Sequence, residues 1–169
     1  MGLAMARSTC TRGTPRTIET TIETTIETTI ETTVGFVREH RVMAMSDAIE
    51  AANAAFYDAH ENRDLVAMSA VWEHSDRACC IHPGWPILRG WVTVEESWRR
   101  IFFGSGRNQF ILTNVSVDQQ GDTAWVSLDE NLVDGAMTGT IAATNVFVRV
   151  SGTWKLVLHQ GSPVARGVE

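Results

Sequence analysis

At 169 residues and 18.6 kDa the chain has room for one ordinary domain and a tail. Apolar residues make up 44% and charged residues 20%, a globular balance, and no run reaches the roughly 18 apolar residues of a membrane-spanning helix. Residues 1–45 carry five Arg against five Glu, so the net charge of −6 belongs to residues 46–169, and an acidic domain is a poor grip for nucleic acid.

The opening residues, MGLAMARSTCTRGTPRT, lack the apolar stretch of a secretory signal. Cys79 and Cys80 are adjacent and Cys10 is remote, so no disulfide framework is indicated and a reducing cytoplasm is expected. Residues 17–33 read TIETTIETTIETTIETT, a four-residue repeat. A helix advancing four residues overshoots a turn by about 40°, so Ile18, Ile22, Ile26 and Ile30 would spiral around it without forming a stripe. We expect residues 1–45 to be a disordered low-complexity tail and residues 46–169 to be the folded domain. Met43 and Met45 stand just before the first orderly segment, as a misassigned start codon would leave them.

Three helices come first. Asp47 with Glu50 suggests a capping box, followed by Ile49, Ala52, Phe56 and Ala59 at helical spacing to about Asn62. Asp64 caps a shorter helix with Leu65, Met68 and Val71 or Trp72 on its apolar side. A β-prone stretch from Ala78 to His82 is stopped by Pro83-Gly84. Thr93 and Glu96 form a second box, opening a helix whose apolar face includes Trp98, Ile101 and Phe102.

Four strands follow, Phe110 to Val117, Ala124 to Val133, Thr140 to Val150 and Trp154 to His159, separated by Gly-containing turns. Such turns pair neighbours antiparallel in chain order. The expectation is an α+β domain, with three helices packed on one face of a curved, mostly antiparallel sheet.

That element order, with the segments CCIHPGWPILRG (79–90), ESWRRIF (96–102), AWVSLDENL (124–132) and LVLHQGSPVA (156–165), resembles the SnoaL-like branch of the nuclear transport factor 2-like superfamily, which shares the cone-shaped fold of ketosteroid isomerase. The resemblance spans Ser46 to Ala165. It implies a bacterial, homodimeric protein with a pocket between sheet and helices. The superfamily hosts enzymes, carriers and assembly domains, so the fold leaves the reaction open. Aligned from the turn after the first helix, the isomerase's general base falls near His82 and its oxyanion Tyr at Phe56, one residue short of Tyr57. One residue turns a helical side chain by about 100°, so ketosteroid isomerisation itself is not expected.

Three residues are candidates for catalysis. His82 ends a strand at the expected mouth of the cone, and an imidazole titrates near neutrality. Glu130 shares a strand face with Val126, Leu128 and Leu132, where desolvation would raise its pKa towards that of a proton carrier. His159 shares a face with Val157 and Gly161 and is placed to meet Glu130. For ligand contact the candidates are Tyr57, Trp85 in the Pro-Gly loop, Asn145 as a buried amide, and Trp98, for which core packing is also a sufficient reason. Cys79-Cys80 with His82 lacks zinc spacing, and no compact motif supports a two-His-one-carboxylate centre, so neither metal nor cofactor is expected. The chain then reads as a cofactor-independent isomerase, cyclase, dehydratase or hydrolase acting on a small apolar organic ligand. A non-catalytic ligand-binding module and a dimerisation domain are the alternatives.

Overall fold

The computed structural model describes residues 46–106, 108–134 and 139–165, with Glu31 and Val34, and the chain divides between Met43 and Ala44. The expected tail, residues 1–45, therefore lies almost wholly outside the described residues. Helix α1 covers 46–62, α2 Leu65–Val71 and α3 Trp91–Phe103. The strands are β1 Cys79–Ile81, β2 Leu88–Arg89, β3 Gln109–Gln120, β4 Thr123–Asp134, β5 Gly139–Val150 and β6 Thr153–Pro163. No described helix is long and apolar enough to cross a membrane.

The six strands form one sheet in the order β2-β1-β6-β5-β4-β3. Strands β3 to β6 pair antiparallel with their chain neighbours, as the turns demand. Ser151 and Gly152, with φ of 49° and 85°, make the two-residue β5–β6 turn with both residues left-handed, which matches the twist of the strands it joins. The predicted Asp134-Gly135 turn falls at the edge of the described residues. Short β1 joins β6 in parallel and β2 antiparallel, a part of the sheet that no turn signal announced.

Two helix starts differ from expectation. Asp64 caps α2 as predicted, its Oδ1 accepting from the Val66 and Ala67 amides at 2.9 Å each. Helix α3, however, begins at Trp91, two residues before Thr93, and Gly90 at its N-cap makes no side-chain bond. Its start is held by tertiary bonds instead: the Gly90 amide donates to Ala78 O and the Trp91 amide to Ser75 O. Gly90 has φ of 78°, which a glycine reaches without steric cost. Asp47 likewise lies inside α1, which is already helical at Ser46.

The helices cover one face of the sheet, and the buried core between them includes Phe56, Trp72, Trp98, Val126, Phe147 and Leu156. This is the α+β architecture expected of three helices on a curved, mostly antiparallel sheet.

Candidate functional site

Alternation along β4 and β5 sends Val126, Leu128 and Glu130, and Ile141, Ala143, Asn145 and Phe147, towards the helices. On β6 simple alternation would not do the same for His159. Trp154 and Leu156 are buried on one parity and His159 and Gly161 on the other. The register shift explains the change: Leu156 lies opposite Phe147 but Leu158 opposite Val146, so Val157 is an inserted residue. This β-bulge returns His159 to the core face, directly opposite Asn145.

These strand residues close one side of a cavity of about 270 Å³. His60 on α1, Trp98 on α3 and the loop carrying His82, Pro83 and Trp85 close the other. Glu130 and His159 stand in the wall. A larger groove of about 520 Å³ runs along Ala48, Ala52, Ala55, Ala67 and Ala70. Its lining adds Val71, Thr153, Trp154 and one cation, Lys155, already donating to Ala70 O. The smaller cavity, which alone among these gathers His82, Glu130 and His159, is the candidate site.

Behind its wall runs a chain of buried polar groups. The Tyr57 hydroxyl donates to Glu130 Oε1 at 2.7 Å. Asn145 Nδ2 donates to Asn53 Oδ1 at 2.8 Å and to the Tyr57 oxygen at 3.3 Å. His159 Nδ1 lies 2.7 Å from Asn145 Oδ1. Glu130 and His159, expected to meet, are thus joined only through Tyr57 and Asn145. His82 makes a separate contact, Nε2 to Ser97 Oγ at 2.9 Å, while Ser97 donates to Val94 O at 2.7 Å.

Burial dominates the electrostatics. Desolvation pushes the Glu130 carboxyl up to about 7, against the lowering effect of the Tyr57 hydrogen bond. The same cause lowers His82 to about 4. His159 falls to about 3 through burial and the nearby His82 and His60, and His60 to about 3 through burial, His82 and Arg63. At pH 7 the cavity holds uncharged imidazoles and a carboxyl near its midpoint. Burial also raises the Tyr57 phenol and the Cys80 thiol, and both remain protonated. Among the described residues no three of His, Cys, Asp and Glu converge as a metal site.

Of the sequence candidates, His82, Glu130, His159, Trp85 and Trp98 line the cavity, and Tyr57 and Asn145 stand one layer behind it. Trp85 is 38% exposed at the rim, edge-on to the His82 ring. Trp98 is both core and wall, 1% exposed and 4.6 Å from His82 between ring centroids. Sequence reasoning passed over His60, Asn53 and Ser97. Each carried a legible signal, a polar side chain inside an apolar helical stripe: His60 four residues after Phe56, Asn53 four after Ile49, Ser97 three after Val94.

The comparisons agree with this architecture. A crystal structure of a candidate dehydratase of the nuclear transport factor 2-like family from Streptomyces avermitilis is 36% identical, with a TM-score of 0.67, over 72% of this chain and 97% of that one. A protein from Thiobacillus denitrificans, described by resemblance as a calcium/calmodulin-dependent protein kinase type II association domain, is 39% identical, with a TM-score of 0.64, over 69% and 94%. A nuclear transport factor 2-like protein of unknown function from Pseudomonas putida shares the fold at 19% identity and a TM-score of 0.63, over 74% and 91%. No curated protein matches the chain. Residues 49–166 match the SnoaL-like domain, and the chain belongs to that family.

Proposed function

We propose that this chain binds a small apolar carbonyl or polyketide-like compound in the 270 Å³ cavity and moves a proton on it with its own side chains. The observation that carries this reading is Glu130, a carboxyl with a pKa of about 7 in the wall of a mostly apolar cavity shared with the uncharged rings of His82 and His159. In a dehydration, the form suggested by the 36% identical relative, the Glu130 carboxylate, a stronger base than either lowered imidazole, takes the proton from the carbon beside the carbonyl. Glu130 then gives that proton to the departing hydroxyl, water leaves, and the C–H and C–O electron pairs become a C=C bond and the leaving group's lone pair. Isomerisation, cyclisation or hydrolysis would use the same groups. The protein would act as a cytoplasmic homodimer, with residues 1–45 outside the working domain.

A second reading, a binding or assembly module without chemistry, is favoured by the 39% identical association-domain relative and by the tying of Glu130 to Tyr57 and of His159 to Asn145. Native mass spectrometry of gently purified protein, followed by release of any bound compound, is the first test. A dimer carrying a discrete organic mass identifies a substrate class for assay. Unchanged turnover of that compound by both His82→Ala and Glu130→Gln would remove the catalytic reading in favour of the second.

A further inference from the structure

The hydrogen bonds behind the cavity wall fix which nitrogen of each imidazole carries its proton. Ser97 has one hydroxyl proton, and the Val94 carbonyl, which can only accept, takes it at 2.7 Å. The Ser97 oxygen is then an acceptor for His82, and Nε2 at 2.9 Å must be the protonated nitrogen. At His159 the same accounting runs the other way. Tyr57 spends its proton on Glu130, so its oxygen accepts from Asn145 and pins the amide nitrogen on that side. The amide oxygen of Asn145 is thereby turned to His159, and Nδ1 at 2.7 Å must be the donor.

With those two nitrogens protonated, Nδ1 of His82 and Nε2 of His159 are left unprotonated, on rings that both line the cavity. Cys80 Sγ lies 3.8 Å from Nδ1 and 3.6 Å from Nε2 of His82. A sulfur nearly equidistant from the two nitrogens is off the lone-pair axis of either. The rings stand 6.4 Å apart between centroids, tilted by 55°, as neighbours in the same cavity wall.

We propose that Ser97 and Asn145 are positioning residues that hold His82 and His159 in opposite tautomers, so that the cavity presents two imidazole lone pairs and selects an apolar ligand bearing a hydroxyl donor. This rests on the cavity being the binding site, as proposed above. It adds the ligand's polarity, a hydroxyl directed at the histidine pair. Burial supports it, since both rings stay uncharged at pH 7 and keep their lone pairs.

The test is long-range 1H–15N correlation on the full chain labelled with 15N-histidine at pH 7, assigned with His82→Gln and His159→Gln. The expected spectrum shows His82 protonated on Nε2 alone and His159 on Nδ1 alone. In Ser97→Ala the single tautomer of His82 is lost, and in Ser97→Thr, whose hydroxyl can make the same helical back-bond, it returns. Either ring in the other tautomer or charged in the unsubstituted chain, or an unmoved His82 signal in Ser97→Ala, overturns the proposal.

The ligand preference is read with 2-naphthol and 2-methoxynaphthalene, titrated against tryptophan fluorescence. The hydroxyl compound should bind about tenfold more tightly, the worth of one hydrogen bond, and the ratio should shrink in Ser97→Ala. Equal binding, or binding of neither, overturns the hydroxyl preference. Loss of the catalytic reading in turnover assays would leave the tautomer spectrum unchanged, so the two failures are distinguishable.

Discussion

Tyr57 on α1 and Glu130 on β4, 73 positions apart, share one proton across 2.7 Å, and this bond ties the first helix to the wall of the cavity. It also moderates the carboxyl, because a hydrogen bond to the charged form opposes the upward push of burial. The same hydroxyl oxygen accepts from Asn145, so one residue orients both halves of the polar layer.

Tyr57→Phe should therefore do two things. Removing the hydroxyl leaves Glu130 Oε1 and one Asn145 proton without a buried partner, at a cost of about 1–3 kcal/mol in urea unfolding. It should also raise the pKa of Glu130 further, visible as a carboxyl infrared band titrating at higher pH than in the unsubstituted chain. A downward or absent shift would refute the assignment of Tyr57 as donor.

Stability should fall on acidification below pH 6.5. His60, His82 and His159 have folded pKa values of about 3, about 4 and about 3, against 6.5 when exposed. Their contribution is complete above 6.5 and is lost as pH falls towards the folded values, because the unfolded chain binds more protons. Glu130 acts oppositely: raised from 4.5 to about 7, its contribution is complete below 4.5 and is lost as pH rises through 7. Between 4.5 and 6.5 three imidazoles outweigh one carboxyl.

Glu130→Gln isolates the carboxyl's share. The advantage of the Gln variant over the unsubstituted chain should grow from pH 4.5 to 7 and level off about 3 kcal/mol higher. Urea unfolding at pH 4.5, 6 and 8 measures it, and a pH-independent difference would refute the raised pKa.

Gly161→Ala tests the packing under the cavity floor. A Cβ there would stand 3.0 Å from Ile141 Cγ2 and 3.3 Å from Pro83 Cγ, and both of those residues line the cavity. The substitution should cost about 1–3 kcal/mol by overpacking and weaken ligand uptake by pressing the two side chains inward. Full stability with normal uptake would show that the floor yields freely.

Asp64→Ala removes the cap of α2 and should cost about 1 kcal/mol, with no change in cavity ligand binding. The same unfolding measurement reads the first effect and ligand titration the second.

Much of this protein is written locally. The Asp64 cap, the left-handed Ser151-Gly152 turn and the two-residue alternation that buries Glu130 with Val126 and Leu128 depend on neighbours within a few positions, so the sequence alone determined the three helices, the order of the four long strands and the core face of β4. What the tertiary structure decided lies in pairings between distant segments. The parallel docking of Cys80 against His159 brings His82 to the same cavity, and the extra residue at Val157 turns His159 inward. The start of α3 at Trp91 is held by bonds to Ser75 and Ala78, not by Thr93. Glu130 meets Tyr57 rather than His159 because burial obliges each polar group to find a partner, and partners arrive from wherever packing places them. No periodicity records those choices, since they are made between residues that are strangers in sequence.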